Sequence, residues 1–233
     1  MIQVIGHRGA AAYEPENTLR SFRRALEIGV HAVELDVHLS KDGRVVVIHD
    51  PTVDRTTNGH GYVRDLSFED LSKLDAGMGE RIPLLEEVID LVKDKAILQI
   101  ELKGEGTEEP VLRILEEKGF LDRVVLTSFF HNRVKKAKEL KPLIKTGVLF
   151  VGRPLDPIHI VRVAKADAIH INYLTVDKEL VEEIHRAGIK VTVWNVDEPR
   201  NIDRMIDFGV DAIGSNKPDI VLSCLKAKKM TSN

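Results

Sequence analysis

Short apolar runs alternate along this chain with segments whose apolar residues recur at helical spacing. Eight runs read as β-strands: Ile2–Gly6, Ala32–His38, Ile97–Leu102, Val124–Thr127, Ile144–Phe150, Ala168–Ile171, Lys190–Trp194 and Ala212–Gly214. Between them, Leu19, Phe22 and Leu26 share one helical face, as do Leu180, Val181 and Ile184, and Ile202, Met205 and Ile206. Asn17, Thr107 and Asp197 stand where helix N-caps are wanted. Gly29, Gly119, Gly188 and Gly209 stand where a left-handed residue ends a helix. Three of these glycines lead directly into the next strand, so the helix-to-strand joint repeats. Strands and helices in alternation, with eight strands, predict an α/β fold: a parallel (β/α)8 TIM barrel. A doubly wound open sheet is the competing topology, and the strand count favours closure.

One stretch breaks the cycle. Residues 51–82 form a small insertion after the second strand unit, with a turn-rich Asn58-Gly59-His60-Gly61 and a capping box from Ser67 to Asp70. No linker divides the 233 residues, so 1–233 is expected to be a single barrel domain, frayed from Lys226 to Asn233.

Composition narrows the partners. A net charge of −3 and a pI of about 6.3 offer no basic face for nucleic acid and no general attraction to anionic membranes. Cys224 is the only cysteine, which excludes an intramolecular disulfide and a two-cysteine metal site. The chain opens directly on a strand pattern without a signal-peptide signature, and no apolar run is long enough to span a membrane. A reduced, cytoplasmic setting is the expectation. Charged residues make up 30% of the chain, a trait shared with heat-adapted surfaces. Nothing in the pattern sets an oligomeric state.

Strand alternation then sorts the polar residues. In the second strand Glu34, Asp36 and His38 share one face, opposite Val33, Leu35 and Val37. In the third, Gln99, Glu101 and Lys103 oppose Leu98, Ile100 and Leu102. The apolar faces suit a shell of helices, which turns the polar faces into the barrel mouth. Glu34, Asp36 and Glu101 would repel one another there unless a cation or proton intervened. All-oxygen ligands suit Mg²⁺ or Ca²⁺, with Mn²⁺ also acceptable. Structural ion pairs with barrel lysines and arginines are the bland alternative. His7 and His49 each end a strand-like segment, which favours acid/base chemistry over a structural role, and over zinc ligation, which would leave no group to move protons. Arg8, in a glycine-flanked turn, suits a phosphate. Trp194 is either core or pocket wall, and the wall is favoured. His60 is a candidate for substrate contact, His38 supports the site from behind, and His170 is a buried barrel histidine. His31, His131, His159 and His185 have no partner pattern. Histidines, an arginine and carboxylates at strand ends form one kit, and it suits phosphodiester cleavage.

The ordered set His7-Arg8-Gly9, Pro15-Glu16-Asn17-Thr18, Glu34-x-Asp36-Val37, Lys41-Asp42-Gly43, His49-Asp50, Gly59-His60-Gly61, Ile82-Pro83-x-Leu85-Glu86-Glu87, Glu101-x-Lys103, Ser128-Phe129 and Trp194 resembles the glycerophosphodiester phosphodiesterase family over nearly the whole chain. The resemblance implies a (β/α)8 barrel with an insertion after the second strand. It implies a divalent metal held by Glu34, Asp36 and Glu101, an acid/base pair in His7 and His49, and a phosphate near Arg8 and Lys103. Two motifs depart from the family's common form. Trp194-Asn195-Val196-Asp197 stands for Trp-Thr-Val-Asn, and Ser215-Asn216-Lys217-Pro218 for Thr-Asp-x-Pro. Neither is expected to supply core chemistry.

The expected function is metal-dependent hydrolysis of a glycerophosphodiester to sn-glycerol 3-phosphate and an alcohol. A lipid-cleaving phospholipase C or D relative ranks lower, since no apolar loop or membrane-binding amphipathic stretch stands out. A non-catalytic barrel is the alternative from another class.

Overall fold

Strand β1 (Gln3–Gly6) pairs in parallel with strands at both ends of the chain, which is what closes the sheet. The computed structural model describes residues 1–231, and Ser232 and Asn233, the end of the expected frayed tail, lie outside them. The other strands are β2 (Ala32–Leu39), β3 (Val45–Val47), β4 (Ile97–Leu102), β5 (Val124–Ser128), β6 (Lys145–Phe150), β7 (Ala168–Asn172), β8 (Lys190–Trp194) and β9 (Ala212–Ser215). Eight run parallel in the order β1-β9-β8-β7-β6-β5-β4-β2, and β1 meets β2 again. The fold is therefore a closed (β/α)8 barrel, and the open doubly wound sheet is excluded.

The ninth strand, β3, was not among the eight read from the sequence. It runs antiparallel to the outer end of β2, pairing Val37 with Val47 and Leu39 with Val45. Three residues of one apolar run carry too little alternation to stand out as a strand.

The helices are α1 (Leu19–Ile28), α2 (Phe68–Leu71), α3 (Leu85–Val92), α4 (Glu108–Glu117), α5 (His131–Leu140), α6 (Pro157–Val163), α7 (Lys178–Arg186), α8 (Pro199–Phe208) and α9 (Pro218–Thr231). α9 runs through most of the stretch expected to fray. The core lies between strands and helices: Val33, Leu35, Leu98, Ile100, Leu126 and Ile169 are fully buried on the outward strand faces, against Phe22, Val88, Ile89 and Leu115 from the helices. Residues 51–82 bring a second apolar cluster, in which Val53, Val63, Leu71 and Ile82 pack on Val46 and Ile48 of the β3 arm.

Helix ends follow the glycine signals: Gly29 and Gly209 are left-handed C-caps of α1 and α8. None of the three expected N-cap side chains caps a helix. Thr18 caps α1, accepting from the Ser21 N–H, while Asn17 donates its side-chain amide to Asp36 at 2.9 Å. Asp197 leaves α8 without a side-chain cap and instead bonds Ser215 and Asn216. Thr107 precedes α4 but donates its hydroxyl to Gly104 O.

Candidate active site

The register of β2 and β4 sets the carboxylates. Asp36 lies beside Glu101, and Glu34 beside Gln99, all on the inward face. One oxygen from each of Glu34, Asp36 and Glu101 lies within 4.8 Å of the others, and all three residues are buried. Asp36 Oδ2 accepts from Asn17 Nδ2 and lies 3.3 Å from Arg8 Nε. Its buried Oδ1 has no hydrogen-bond partner, and the nearest cation, Lys103 Nζ, is 3.9 Å away.

Charge at this spot is unbalanced. Burial, then the neighbouring Asp36 charge, raises the Glu34 carboxyl well above its usual range and pushes Glu101 up to about 7. For Asp36 burial acts in the same direction, but Arg8 and Lys103 outweigh it and hold the group low. A buried oxygen without a donor, in an all-oxygen set that otherwise retains protons, fits a hard divalent cation. Glu34, Asp36 and Glu101 could hold one.

His7 and Arg8 follow β1 in a tight turn. Arg8 is left-handed at φ 50°, and so is Gly9 at φ 90°. A Cβ on Gly9 would come within 2.4 Å of Ser21 Oγ, so the turn needs glycine there. The Arg8 strain is held by its own backbone: its N–H donates to Glu34 Oε2 at 2.9 Å, and its carbonyl accepts from Ser21 Oγ at 2.8 Å. The Arg8 guanidinium donates to Glu16 Oε1 at 2.8 Å. The His7 ring lies between Asn216 Oδ1, 2.7 Å from Nδ1, and Asn195 Nδ2, 3.2 Å from Nε2. Burial, then the Arg8 charge, lowers its pKa to about 4.

His49 reaches the mouth two residues beyond β3. Its Nδ1 lies 2.5 Å from Asp50 Oδ1, and the His38 ring holds its carbonyl at 3.1 Å. Arg55, from the insertion, donates both to Asp50 (2.6 Å) and to Glu16 (2.8 and 2.9 Å). The carboxylate that orients His49 and the one that orients Arg8 therefore share one guanidinium. Lys103 Nζ lies 3.0 Å from His49 Nε2 and 3.2 Å from Glu101 Oε1. Its carbonyl and that of Leu102 accept from Arg133 of α5, which anchors this strand end. His7, Arg8, Glu34, His49, Glu101, Lys103 and Trp194 all line one cleft at the C-terminal ends of the strands, with Asp36 fully buried beneath it.

The family model of the glycerophosphoryl diester phosphodiesterase family matches residues 7–220. A glycerophosphodiester phosphodiesterase of Caldanaerobacter subterraneus subsp. tengcongensis is 41% identical, over 96% of this chain and 97% of its own. The chain belongs to this family. It is accordingly a phosphoric diester hydrolase. Solved structures agree in fold. A phosphodiesterase of Oleispira antarctica, in complex with the product sn-glycerol-3-phosphate, superimposes with a TM-score of 0.92 at 32% identity, covering 96% of each chain. A glycerophosphodiester phosphodiesterase of Thermotoga maritima gives 0.83 at 28% identity, covering 96% of this chain and 98% of that one.

Within this family fold, Trp194 forms one wall of the cleft. Phe129 stands edge-on to it, with ring centroids 5.6 Å apart. His60 is not brought to the cleft: its ring is 87% exposed in the insertion, 3.3 Å from Asp54. His170 is buried inside the barrel, where burial lowers its pKa to about 4. The two divergent motifs lie against the cleft, where Asn195 and Asn216 both touch His7. The rim is not free of apolar loops. Phe129, Phe130, Val151, Leu155 and Leu174 are exposed on the loops after β5, β6 and β7. Sequence reasoning gave Arg55 and Asn216 no role and read Asn17 and Asp197 only as helix caps. The available signal was the motifs: Pro15-Glu16-Asn17-Thr18 holds Glu16 and Asn17, and the two divergent stretches hold Asp197 and Asn216.

Proposed function

We propose that this enzyme hydrolyses glycerophosphodiesters, such as glycerophosphocholine, to sn-glycerol 3-phosphate and an alcohol, in the cytoplasm, with the whole barrel, including residues 51–82, as one catalytic unit. The observation that carries the reading is the convergence of two histidines and three buried carboxylates on one cleft with Arg8 and Lys103 at its edge. The Oleispira antarctica relative, bound to sn-glycerol-3-phosphate, supports the substrate class. Incubation with glycerophosphocholine, coupled to glycerol 3-phosphate detection, tests it; no phosphate ester released above the blank would sink it.

Glu34, Asp36 and Glu101 would hold a divalent ion, which supplies charge stabilisation for the phosphoryl oxygens when bound. His7 takes the proton of the substrate's 2-hydroxyl as that oxygen attacks phosphorus. His49 gives a proton to the departing alcohol oxygen as its bond to phosphorus breaks. The product of this step is a cyclic phosphate. Water then opens it with the two histidines in exchanged roles, breaking the bond to the 2-oxygen. His7 is assigned the initial base because its lowered pKa leaves the ring unprotonated at neutral pH. Lys103 and Arg8 bind the phosphate, and Trp194 walls the alcohol side.

Arg8→Lys tests the phosphate contact. An ammonium keeps the charge but loses the planar fork that lets one guanidinium edge hold Glu16 while its other donors face an anion. We expect kcat/KM to fall clearly; wild-type kinetics would make Arg8 structural.

The exposed Phe129, Phe130, Val151, Leu155 and Leu174 favour a second reading, a lipid diester at the same cleft. Flotation with liposomes separates the two: binding supports the lipid reading, and its absence removes it.

A further inference from the structure

The two stretches that depart from the family's common form meet at one ring. Asp197 follows β8, Asn216 follows β9, and His7 follows β1; β8, β9 and β1 are successive neighbours in the barrel. Asp197 Oδ1 accepts from Ser215 Oγ at 2.7 Å and from the Asn216 N–H at 2.8 Å. Its Oδ2 accepts from Asn216 Nδ2 at 2.7 Å. Burial works against its charge, but the bonds from Asn216 and Ser215 prevail and keep the carboxyl low, so it is ionised.

An ionised carboxylate only accepts hydrogen bonds. The Asn216 amide must therefore turn its nitrogen to Asp197 and its oxygen to His7. Turned the other way, it would set two bare oxygens 2.7 Å apart. With Asn216 Oδ1 as acceptor, His7 Nδ1, 2.7 Å away, must carry hydrogen. The lone pair of the neutral ring then sits on Nε2. That nitrogen is the one 3.2 Å from Asn195 Nδ2 and 3.9 Å from Glu34 Oε2, on the carboxylate side of the ring.

We propose that Asp197, acting through Asn216, is a positioning residue that holds His7 in its Nδ1–H tautomer and so presents Nε2 to the proton it must take. The role rests on the reading of His7 as a base in diester cleavage. Asp197→Asn keeps shape but can donate as well as accept. Asn216 is then free to turn, and the ring to change tautomer. Outer partners of this kind are worth about 10–100-fold, here in kcat, with KM little changed. The double variant Asp197→Asn with Asn216→Asp places an acceptor-only carboxylate directly against Nδ1 and should recover most of the rate.

The experiment combines steady-state kinetics on glycerophosphocholine with ¹⁵N–¹H correlation spectra of the full-length chain labelled at histidine. His7 is assigned by the loss of its signals in His7→Gln. We expect a pure Nδ1–H pattern in wild type and in the double variant, and a mixed or Nε2–H pattern in Asp197→Asn alongside its loss of kcat. Wild-type kcat in Asp197→Asn overturns the proposal. So does a slow Asp197→Asn whose His7 is still purely Nδ1–H, or a double variant with the right tautomer but no recovery. If wild type does not cleave the diester, the functional reading fails on that arm, while the ring spectra still decide the tautomer.

Discussion

His7→Ala and His49→Ala should each lower kcat on a natural glycerophosphodiester by about 10²–10⁴, the range for a positioned acid or base, yet they should part company on an activated substrate. One ring lies 3.9 Å from Glu34 Oε2, and the other lies 3.0 Å from Lys103 Nζ, which also reaches Glu101. Two rings lining one cleft suit a displacement in which one proton leaves the attacking oxygen and another joins the departing one. With a p-nitrophenyl ester the leaving group needs no proton. His49→Ala should then recover much of its rate, and His7→Ala should not. The pH profile on the natural diester adds a check. A base must be unprotonated, and burial followed by the Arg8 charge holds His7 at about 4 rather than 6.5. The acid limb should therefore lie well below the usual imidazole range. Recovery by His7→Ala instead would exchange the assigned roles. Near-normal turnover of the natural diester by either variant would remove that histidine from the scheme.

The barrel was legible because its signals are local and repeated. Each parallel strand is an apolar run, and four of the joints to the next are marked by a left-handed glycine, Gly29, Gly119, Gly188 and Gly209. The carboxylates were legible for a similar reason. Period-two alternation fixes the faces of Glu34, Asp36 and Glu101, and the register of β2 on β4 then puts Asp36 beside Glu101.

The supporting residues were hidden because their chemistry is ambiguous in one dimension. An Asn or Asp before a helical run can cap that helix or can serve a distant ring or carboxylate with the same atoms. Asn17 and Asp197 both look like caps, and both serve the site instead. The difference is decided by β-strand neighbours far away in sequence, β2 for Asn17 and β9 for Asp197. Arg55 was hidden by distance as well. Nothing near it in the insertion predicts that it closes a bridge between Asp50 and Glu16. β3 escaped through shortness, although it delivers His49.

Chelation should abolish turnover, with Mg²⁺, Mn²⁺ or Ca²⁺ restoring it, and Glu101→Gln should show why. Three buried carboxylates with oxygens within 4.8 Å repel one another, and the repulsion is what a divalent ion relieves. Glu101→Gln keeps the shape, removes one charge, and should weaken metal binding and activity together. Its effect on metal-free stability has a definite sign. Burial, then Asp36, raises the Glu101 carboxyl from its ordinary 4.5 to about 7 in the folded chain. Between those values the folded state keeps a proton that the unfolded state gives up, so folding stability falls as pH rises through that window. Glutamine does not titrate. The melting temperature of the metal-free variant should therefore gain on wild type from pH 5 to pH 8, and added metal should raise wild-type Tm more at pH 8 than at pH 5. Isothermal titration with Mn²⁺ and thermal melts at both pH values check each part. Unchanged metal affinity in Glu101→Gln would remove it from the ligand set. Full activity after exhaustive chelation, with elemental analysis showing no metal, would leave the phosphate to Arg8 and Lys103 of the cleft lining and would end the case for a metal site.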